Sequence, residues 1–403
     1  MRILMISDVY FPRINGVSTS IQSFRQELEA LGHEVFLIAP EYPTPFVDDI
    51  RLFRIPARGV ILDPEDRMMR FRDITSDMLR WRQLRPDIVH IHTPFVAHYA
   101  GQAIARALGV PSVCTYHTLF EEYLYHYIPW LPKSLLRLCA RRFSVSQCNQ
   151  VSGVIAPSSV IVNLLKGYGV RRRMQILPTG IDSTLFATGN GTAFRERLGI
   201  PVHHKVLLNV SRIAFEKNIG LLLEMFADLH ARWPDTHLVI AGEGPARKAC
   251  MEQANALRLQ DKISFVGYLD RRAELADCYH AADLFVFASR TETQGLVLLE
   301  AMAAGLPVVS IAAMGTVDVL KEGEGASITD GSVRDFSDRV SALLQDPARL
   351  QNLSHAAVRY AGTWDSHQCA LRMLAFYHSL LPDAAPLAAS APQVHALPVN
   401  APE

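Results

Sequence analysis

The chain opens Arg2-Ile3-Leu4-Met5-Ile6, continues through the loop Ser7-Asp8-Val9-Tyr10-Phe11-Pro12-Arg13-Ile14-Asn15-Gly16-Val17, and enters a stretch from Ser18 to Leu31 with helical apolar spacing that stops at Gly32. Val35-Phe36-Leu37-Ile38-Ala39 follows. A short, continuously apolar run reads as a strand buried on both faces, and the order strand, loop, helix, strand is the repeating unit of a parallel α/β sheet. The same alternation continues with Ile88–His92, the helical stretch Ala97–Leu108 ending at Gly109, Ser112–Tyr116 and Gly153–Ala156. The first part of the chain is therefore expected to be a doubly wound parallel sheet, with ligands at the carboxyl ends of its strands. Gly16, His92 and His117 fall at those ends.

A second α/β series begins at Val206–Val210 and continues with strands at His237–Ala241, Ile263–Val266, Leu284–Ala288 and Val308–Ile311. Helical spacing over 219–232, 245–258, 271–280, 295–304 and 333–344 alternates with them. At 403 residues the chain exceeds one ordinary core, so two domains are expected. Residues 1–182 form the first and 195–365 the second, joined by a Gly- and Thr-rich linker at 183–194. Ser366 to Leu381 reads as a last amphipathic helix that packs back on the first domain, and 382–403 as a Pro- and Ala-rich disordered tail.

Formal net charge is zero, yet residues 1–182 hold 21 Lys and Arg against 16 Asp and Glu, a net of +5 that the remainder balances. Only the first half is thus suited to an anionic surface. The six cysteines show no metal-like or paired spacing and read as buried thiols of a reducing compartment. No apolar run approaches the ~18 residues of a membrane span, and Met1–Ile6 is too short for a signal peptide. A cytoplasmic protein whose membrane contact is peripheral is expected.

Three constellations carry chemistry. Asn209-Val210-Ser211-Arg212-Ile213-Ala214-Phe215-Glu216-Lys217-Asn218 lies between a strand and a helix. Arg212 and Lys217 there suit a diphosphate, although taken alone the stretch fits a solvated basic loop better. Ala241-Gly242-Glu243-Gly244-Pro245 reads foremost as a plain strand-to-helix turn. Thr291-Glu292-Thr293-Gln294-Gly295-Leu296-Val297-Leu298-Leu299-Glu300 leads into a short helix too apolar to be exposed, and Gly305 and Pro307 end it. Glu300 inside that helix must be paired or bound to something, because an isolated buried carboxylate is costly. The helix start at Gly295-Leu296 presents N–H groups and partial positive charge. Together with Arg212 and Lys217 it would neutralise a diphosphate without a metal, and no Asp-x-Asp pair of the metal-binding kind occurs.

Ser211-Arg212 with Glu216-Lys217-Asn218, followed by Glu292 and Glu300 with seven residues between, resembles the retaining glycosyltransferases of family 4, which have the GT-B fold of two Rossmann-like domains around a cleft. Asn15-Gly16-Val17, Thr115-Tyr116-His117-Thr118, Pro178-Thr179-Gly180-Ile181-Asp182, Val266-Gly267-Tyr268-Leu269 and Trp364-Asp365 support the resemblance in order over residues 1–381. It implies that the protein is a hexosyltransferase using a UDP-hexose or GDP-mannose, with no cofactor and no metal. Arg212 and Lys217 would bind the diphosphate, Glu300 the ribose, Glu292 with the Gly295 and Leu296 backbone the sugar, and Val266, Tyr268 and Leu269 the base. Gly16 and His117 would approach from the other domain, His117 at the reaction centre. His92 reads as a structural histidine. One departure is that Asn15 stands where many members carry a second glycine.

For the acceptor, the stretch from Tyr116 to Pro132 is dense in aromatics, including Tyr123, Tyr127 and Trp130, and leads into a helix with Lys133, Arg137 and Arg141 at four-residue intervals. Aromatics beside a basic stripe suit a membrane interface, and the stretch resembles the members that glycosylate diacylglycerol or phosphatidylinositol lipids. The alternatives are an acceptor pocket with ordinary core aromatics, and a saccharide acceptor in polysaccharide synthesis.

Overall fold

The computed structural model describes residues 1–43, 49–60, 63–117, 133–270 and 274–382. The first domain runs β1 (Arg2–Ile6), α1 (Gly16–Ala30), β2 (Glu34–Pro40), β3 (Leu52–Ile55), β4 (Ala57–Val60), β5 (Asp63–Met69), α2 (Phe71–Thr75), α3 (Met78–Leu84), β6 (Ile88–Ile91), α4 (Val96–Leu108), β7 (Ser112–Thr115), α5 (Lys133–Gln150), β8 (Gly153–Ala156), α6 (Ser159–Tyr168) and β9 (Arg173–Ile176). Seven of these strands form one parallel sheet in the order β3-β2-β1-β6-β7-β8-β9. Alternate residues of β1 serve separate cores: Leu4 and Ile6 pack with Val89 on one face, Ile3 and Met5 with Ile88 on the other. That two-sided burial is why β1 is apolar throughout.

After a 3-10 turn at Ser183–Phe186, the second domain runs α7 (Gly191–Arg197), β10 (Lys205–Val210), α8 (Ile219–Arg232), β11 (Thr236–Ala241), α9 (Arg247–Ala256), β12 (Ile263–Gly267), α10 (Leu275–His280), β13 (Leu284–Phe287), α11 (Leu296–Ala303), β14 (Val308–Ile311), α12 (Thr316–Val319), β15 (Ala326–Thr329), α13 (Val333–Gln345), α14 (Pro347–Ala361) and α15 (Ser366–His378). Its parallel sheet has the order β12-β11-β10-β13-β14-β15. In each sheet the order reverses once, between β1 and β6 and between β10 and β13, and the crevices at those switch points face the cleft.

Residues 183–194 are built into the second domain. Phe186 is fully buried, and it and Phe194 belong to that domain's core. α15 returns to the first domain, where Cys369, Met373, Phe376 and Tyr377 join the core beneath α1 and β1. The two crossings between domains touch: Ile181 N donates to Trp364 O at 2.8 Å and Ser366 N to Ile181 O at 3.2 Å. Among the described residues no helix is long and apolar enough to cross a membrane.

One reading is corrected and one element is new. Cys139 is exposed on α5, whereas the other five cysteines are buried as expected and all six are free. The hairpin of β4 and β5 was not foreseen, because its strands carry charged residues without alternation and its pairing is interrupted at Gly59 and Val60.

Candidate functional site

A cavity of about 380 Å³ lies between the domains at the carboxyl ends of both sheets. The second domain contributes Ser211, Arg212 and Lys217 from the turn after β10, Gly242 after β11, Gly267, Tyr268 and Leu269 after β12, and Thr291–Val297 with Glu300. From the first domain come Asn15, Gly16 and His117. Of the candidate donor residues, only Val266 is not part of this lining. It sits within β12, partly buried, and packs against the second domain's core.

Asn218 and Gly295 set the second domain's side of the cleft. Asn218 holds a left-handed backbone, φ 56°, that turns the chain from the 3-10 turn Phe215–Lys217 into α8 and leaves Lys217 facing the cavity. Its Nζ lies 2.5 Å from Glu292 Oε1, and both side chains are mostly shielded from solvent. Gly295 has φ 93°, strained for any residue with a Cβ, and caps α11. The first N–H groups of α11 therefore open on the same space as Arg212 and Lys217.

Glu300 is 1% exposed on α11. Its Oε2 accepts from the Tyr279 hydroxyl at 3.0 Å, the partner that a carboxylate on so apolar a helix requires. Gly242 has φ 133°, and a Cβ there would collide with the Ser211 carbonyl, so this turn needs glycine to sit against the one carrying Arg212.

Across the cleft, Asn15 accepts from Ser18 N at 2.8 Å and so caps α1; this is its role in place of a second glycine. Gly16 is the first residue of α1, and a Cβ there would meet no protein atom within 4 Å. The space beside it is open cleft. His117 follows β7, and enclosure lowers its pKa to about 4, so it is neutral near pH 7. His92 stands behind it, with Nδ1 at 3.2 Å from His117 Nε2.

Several cleft residues had no sequence signal. Gln294 pairs with the Thr179 backbone, donating to its carbonyl at 2.7 Å and accepting from its N–H at 2.8 Å. Thr293 Oγ1 donates to His117 O at 2.9 Å, and Arg13 Nη1 to the Tyr268 hydroxyl at 2.9 Å. These polar loop residues are paired with partners more than 100 positions away, which no local pattern reveals.

Of the acceptor candidates, Tyr123, Tyr127, Trp130 and the side chain of Lys133 lie outside the described residues. Arg137 is exposed on α5, as are Leu135 and Leu138 at 45% and 46%. Arg141 is also exposed, and its guanidinium donates to the carbonyls of Tyr168 at 3.2 Å and Gly167 at 3.1 Å, closing the end of α6. Among the described residues, one group of side chains could hold a metal, His203, His204 and Asp235. It lies at the amino ends of β10 and β11, the opposite end of the sheet from the cleft.

Residues 14–185 match the family model Glycosyltransferase Family 4, and residues 191–361 match Glycosyl transferases group 1. An alpha-monoglucosyldiacylglycerol synthase of Streptococcus pneumoniae is 37% identical over 319 residues, 77% of this chain and 71% of that protein. The chain belongs to glycosyltransferase family 4. A protein of the same name from Acholeplasma laidlawii is 33% identical over 322 residues, 77% of this chain and 80% of that one. The structure of Anabaena HepE in complex with UDP and glucose shares the fold, with a TM-score of 0.76 at 17% identity over 94% of this chain and 100% of that one. This family 4 enzyme is thus a hexosyltransferase with the GT-B architecture, and a nucleotide sugar is its partner.

Proposed function

We propose that the enzyme transfers a hexose, glucose foremost, from a UDP-sugar to a hydroxyl of a diacylglycerol-type membrane lipid, keeping the α configuration and needing no metal. The observation that carries the donor side is the convergence of Arg212, Lys217, the start of α11 and Glu292 on one cavity that Gly16 and His117 close from the other domain. The carbon–oxygen bond to the diphosphate breaks as the acceptor oxygen bonds to the same carbon from the same face. The acceptor's proton passes to the departing phosphate oxygen. Two cations and the α11 amino end stabilise the charge that develops there, the largest contribution such a site makes. Glu300 receives the ribose hydroxyls, with Tyr268 and Leu269 against the base, and Glu292 takes the sugar.

The lipid acceptor rests on two supports. The relatives from S. pneumoniae and A. laidlawii are both named as synthases of a glucosylated diacylglycerol. The first domain also exposes Met68, Phe71, Leu79, Leu135 and Leu138 among exposed arginines, including Arg70, Arg72, Arg82 and Arg137. Apolar side chains interleaved with basic ones suit peripheral binding to an anionic leaflet, such as the inner face of the cytoplasmic membrane.

The test is transfer from UDP-glucose, UDP-galactose and GDP-mannose to diacylglycerol in anionic vesicles, with and without EDTA. An α-glucosyl lipid formed equally in EDTA, and vesicle co-sedimentation that falls with salt, is expected. Transfer to a saccharide with none to lipid would overturn the acceptor reading. Absence of transfer from every nucleotide sugar would overturn the whole.

A further inference from the structure

His117 does not meet the cleft alone. Its ring lies 5.5 Å from that of His92 at 21°, and the His92 ring in turn lies 3.9 Å from that of His90. His90 is held at both nitrogens: Nε2 is 2.7 Å from Thr115 Oγ1, and Nδ1 is 2.6 Å from the Tyr377 hydroxyl of α15. Burial pushes the pKa of His90 down to about 3 and that of His92 well below its usual range, so both are neutral. A neutral imidazole donates at one nitrogen and accepts at the other.

Next to His92 is a second, small cavity of about 30 Å³, lined by His92, His98, Thr93, Tyr116, Gln147 and His117 among others. His92 and His98 are 2% and 1% exposed. The Nε2 atoms of both are buried and have no hydrogen-bond partner among the described residues. An unsatisfied buried polar atom costs about 1–3 kcal/mol. Both atoms belong to residues lining this one cavity of water-molecule size, where an ordered water would give them partners. The neighbouring polar groups already have other partners: Gln147 Nε2 donates to Pro94 O at 2.5 Å, and the Tyr116 hydroxyl is 3.0 Å from Ser144 Oγ.

We propose that this cavity takes one water molecule bridging His92 Nε2 and His98 Nε2, and that His92, fixed by this water, is the positioning residue that sets the ring orientation and tautomer of His117. The inference rests on the reading that His117 serves the reaction centre. His92 Nδ1 occupies His117 Nε2, so Nδ1 is the nitrogen that His117 offers to the donor sugar. The water donates to one imidazole and accepts from the other, so the tautomers of His98, His92 and His117 are coupled along one hydrogen-bonded chain. His92 touches neither substrate nor reacting atoms, and it acts only through His117.

The experiment compares His92→Leu, His92→Gln, His98→Leu and His117→Ala in the full chain. It measures UDP affinity, kcat and donor KM, and the ring ¹⁵N shifts of His117. In His92→Leu, kcat falls by about 10–100-fold, the scale of a displaced reacting group, while UDP affinity and donor KM stay within about twofold. The ¹⁵N shifts of its His117 pass from one tautomer to an average. His92→Gln, which keeps a hydrogen-bonding group, recovers most of the turnover, and His98→Leu shifts kcat in the same direction by less. A single unchanged tautomer of His117 in both His92→Leu and His98→Leu would overturn the proposal, whichever of the two variants folds well enough to measure. A crystal structure with an empty cavity would overturn it as well. If His117→Ala itself keeps full turnover, the reading of the cleft fails and this inference with it. If His117→Ala is inactive while His92→Leu retains wild-type kcat, only the present inference fails.

Discussion

Lys217 Nζ stands 2.5 Å from Glu292 Oε1, so the cation proposed for the diphosphate and the carboxylate proposed for the sugar hold each other in place. The pair joins the turn after β10 to the loop before α11, and each side chain is aimed at the cleft by the other. Lys217→Ala removes one charge facing the departing diphosphate and leaves Glu292 unpaired. A loss in kcat/KM of about 10²–10³ is expected, the range for deleting one such stabilising group. Because the two residues are in contact, Glu292→Gln in the Lys217→Ala background should cost less than in the wild type. Steady-state kinetics with UDP-glucose check both, and a Lys217→Ala enzyme within threefold of wild type would remove Lys217 from the diphosphate site.

Glu300 and the Tyr279 hydroxyl, 3.0 Å apart in the core of the second domain, give a separate prediction. If the carboxylate receives ribose hydroxyls, Glu300→Gln weakens UDP binding by about 10–100-fold, the cost of losing hydrogen bonds to a charged acceptor. Wild type should prefer UDP to its 2′,3′-dideoxy analogue, and the variant should lose that preference. Calorimetry with both nucleotides decides, and an undiminished preference in the variant would assign Glu300 to Tyr279 alone.

How much of this was legible follows from the reach of each signal. Ile3–Ile6 and Leu207–Leu208 are buried on both faces of parallel sheets, so their apolar runs declare strands and hence two Rossmann-like domains. Glu300 was legible because a carboxylate inside Leu296–Ala303 conflicts with its surroundings and calls for a partner, which the Tyr279 hydroxyl supplies. β9, with burial only partial along Arg173–Ile176, lies at a sheet edge, where apolar pattern fades. Gln294, His90 and Arg141 were illegible for another reason. Their meaning lies in partners at Thr179, Tyr377 and Gly167, and nothing local to any of them differs from a polar loop residue, a strand histidine or a helix-surface arginine.

The Gln294 amide spans the domain boundary with two hydrogen bonds to the Thr179 backbone, and both residues are buried. Gln294→Ala leaves a backbone N–H and a carbonyl of Thr179 without these partners. A loss of about 1–3 kcal/mol in unfolding free energy is expected. Amide exchange at Thr179 should quicken well before global unfolding, because the tie lies between the domains and not within either core. Gln294→Glu keeps the acceptor for Thr179 N but not the donor for Thr179 O, and should fall between. Exchange at Thr179 that matches wild type in Gln294→Ala would show that the boundary is held by other contacts.

Stability should fall on acidification from pH 7 because of buried neutral histidines. Burial lowers the pKa of His98, His117 and His237 to about 4 and of His90 to about 3, against an unfolded value of 6.5. As pH drops below about 6.5 the unfolded chain binds protons first, so stability is whole above that pH and is lost towards the folded values. Each such histidine adds about 1.4 kcal/mol per pH unit to the slope within this window. Asp8 acts oppositely. Burial raises its pKa from 3.8 to about 6, so the folded state binds its proton more tightly and gains stability as pH falls between those values. One acid cannot offset several histidines, and the net slope should follow the histidines. His237, on β11 with Nε2 at 2.9 Å from Ser264 Oγ, lies at the far end of the sheet from the cleft, so His237→Gln isolates one contribution without touching the site. Urea unfolding at pH 7.5, 6 and 5 should show a slope shallower by about 1.4 kcal/mol per pH unit in this variant. An unchanged slope would mean that His237 titrates alike in the folded and unfolded chains.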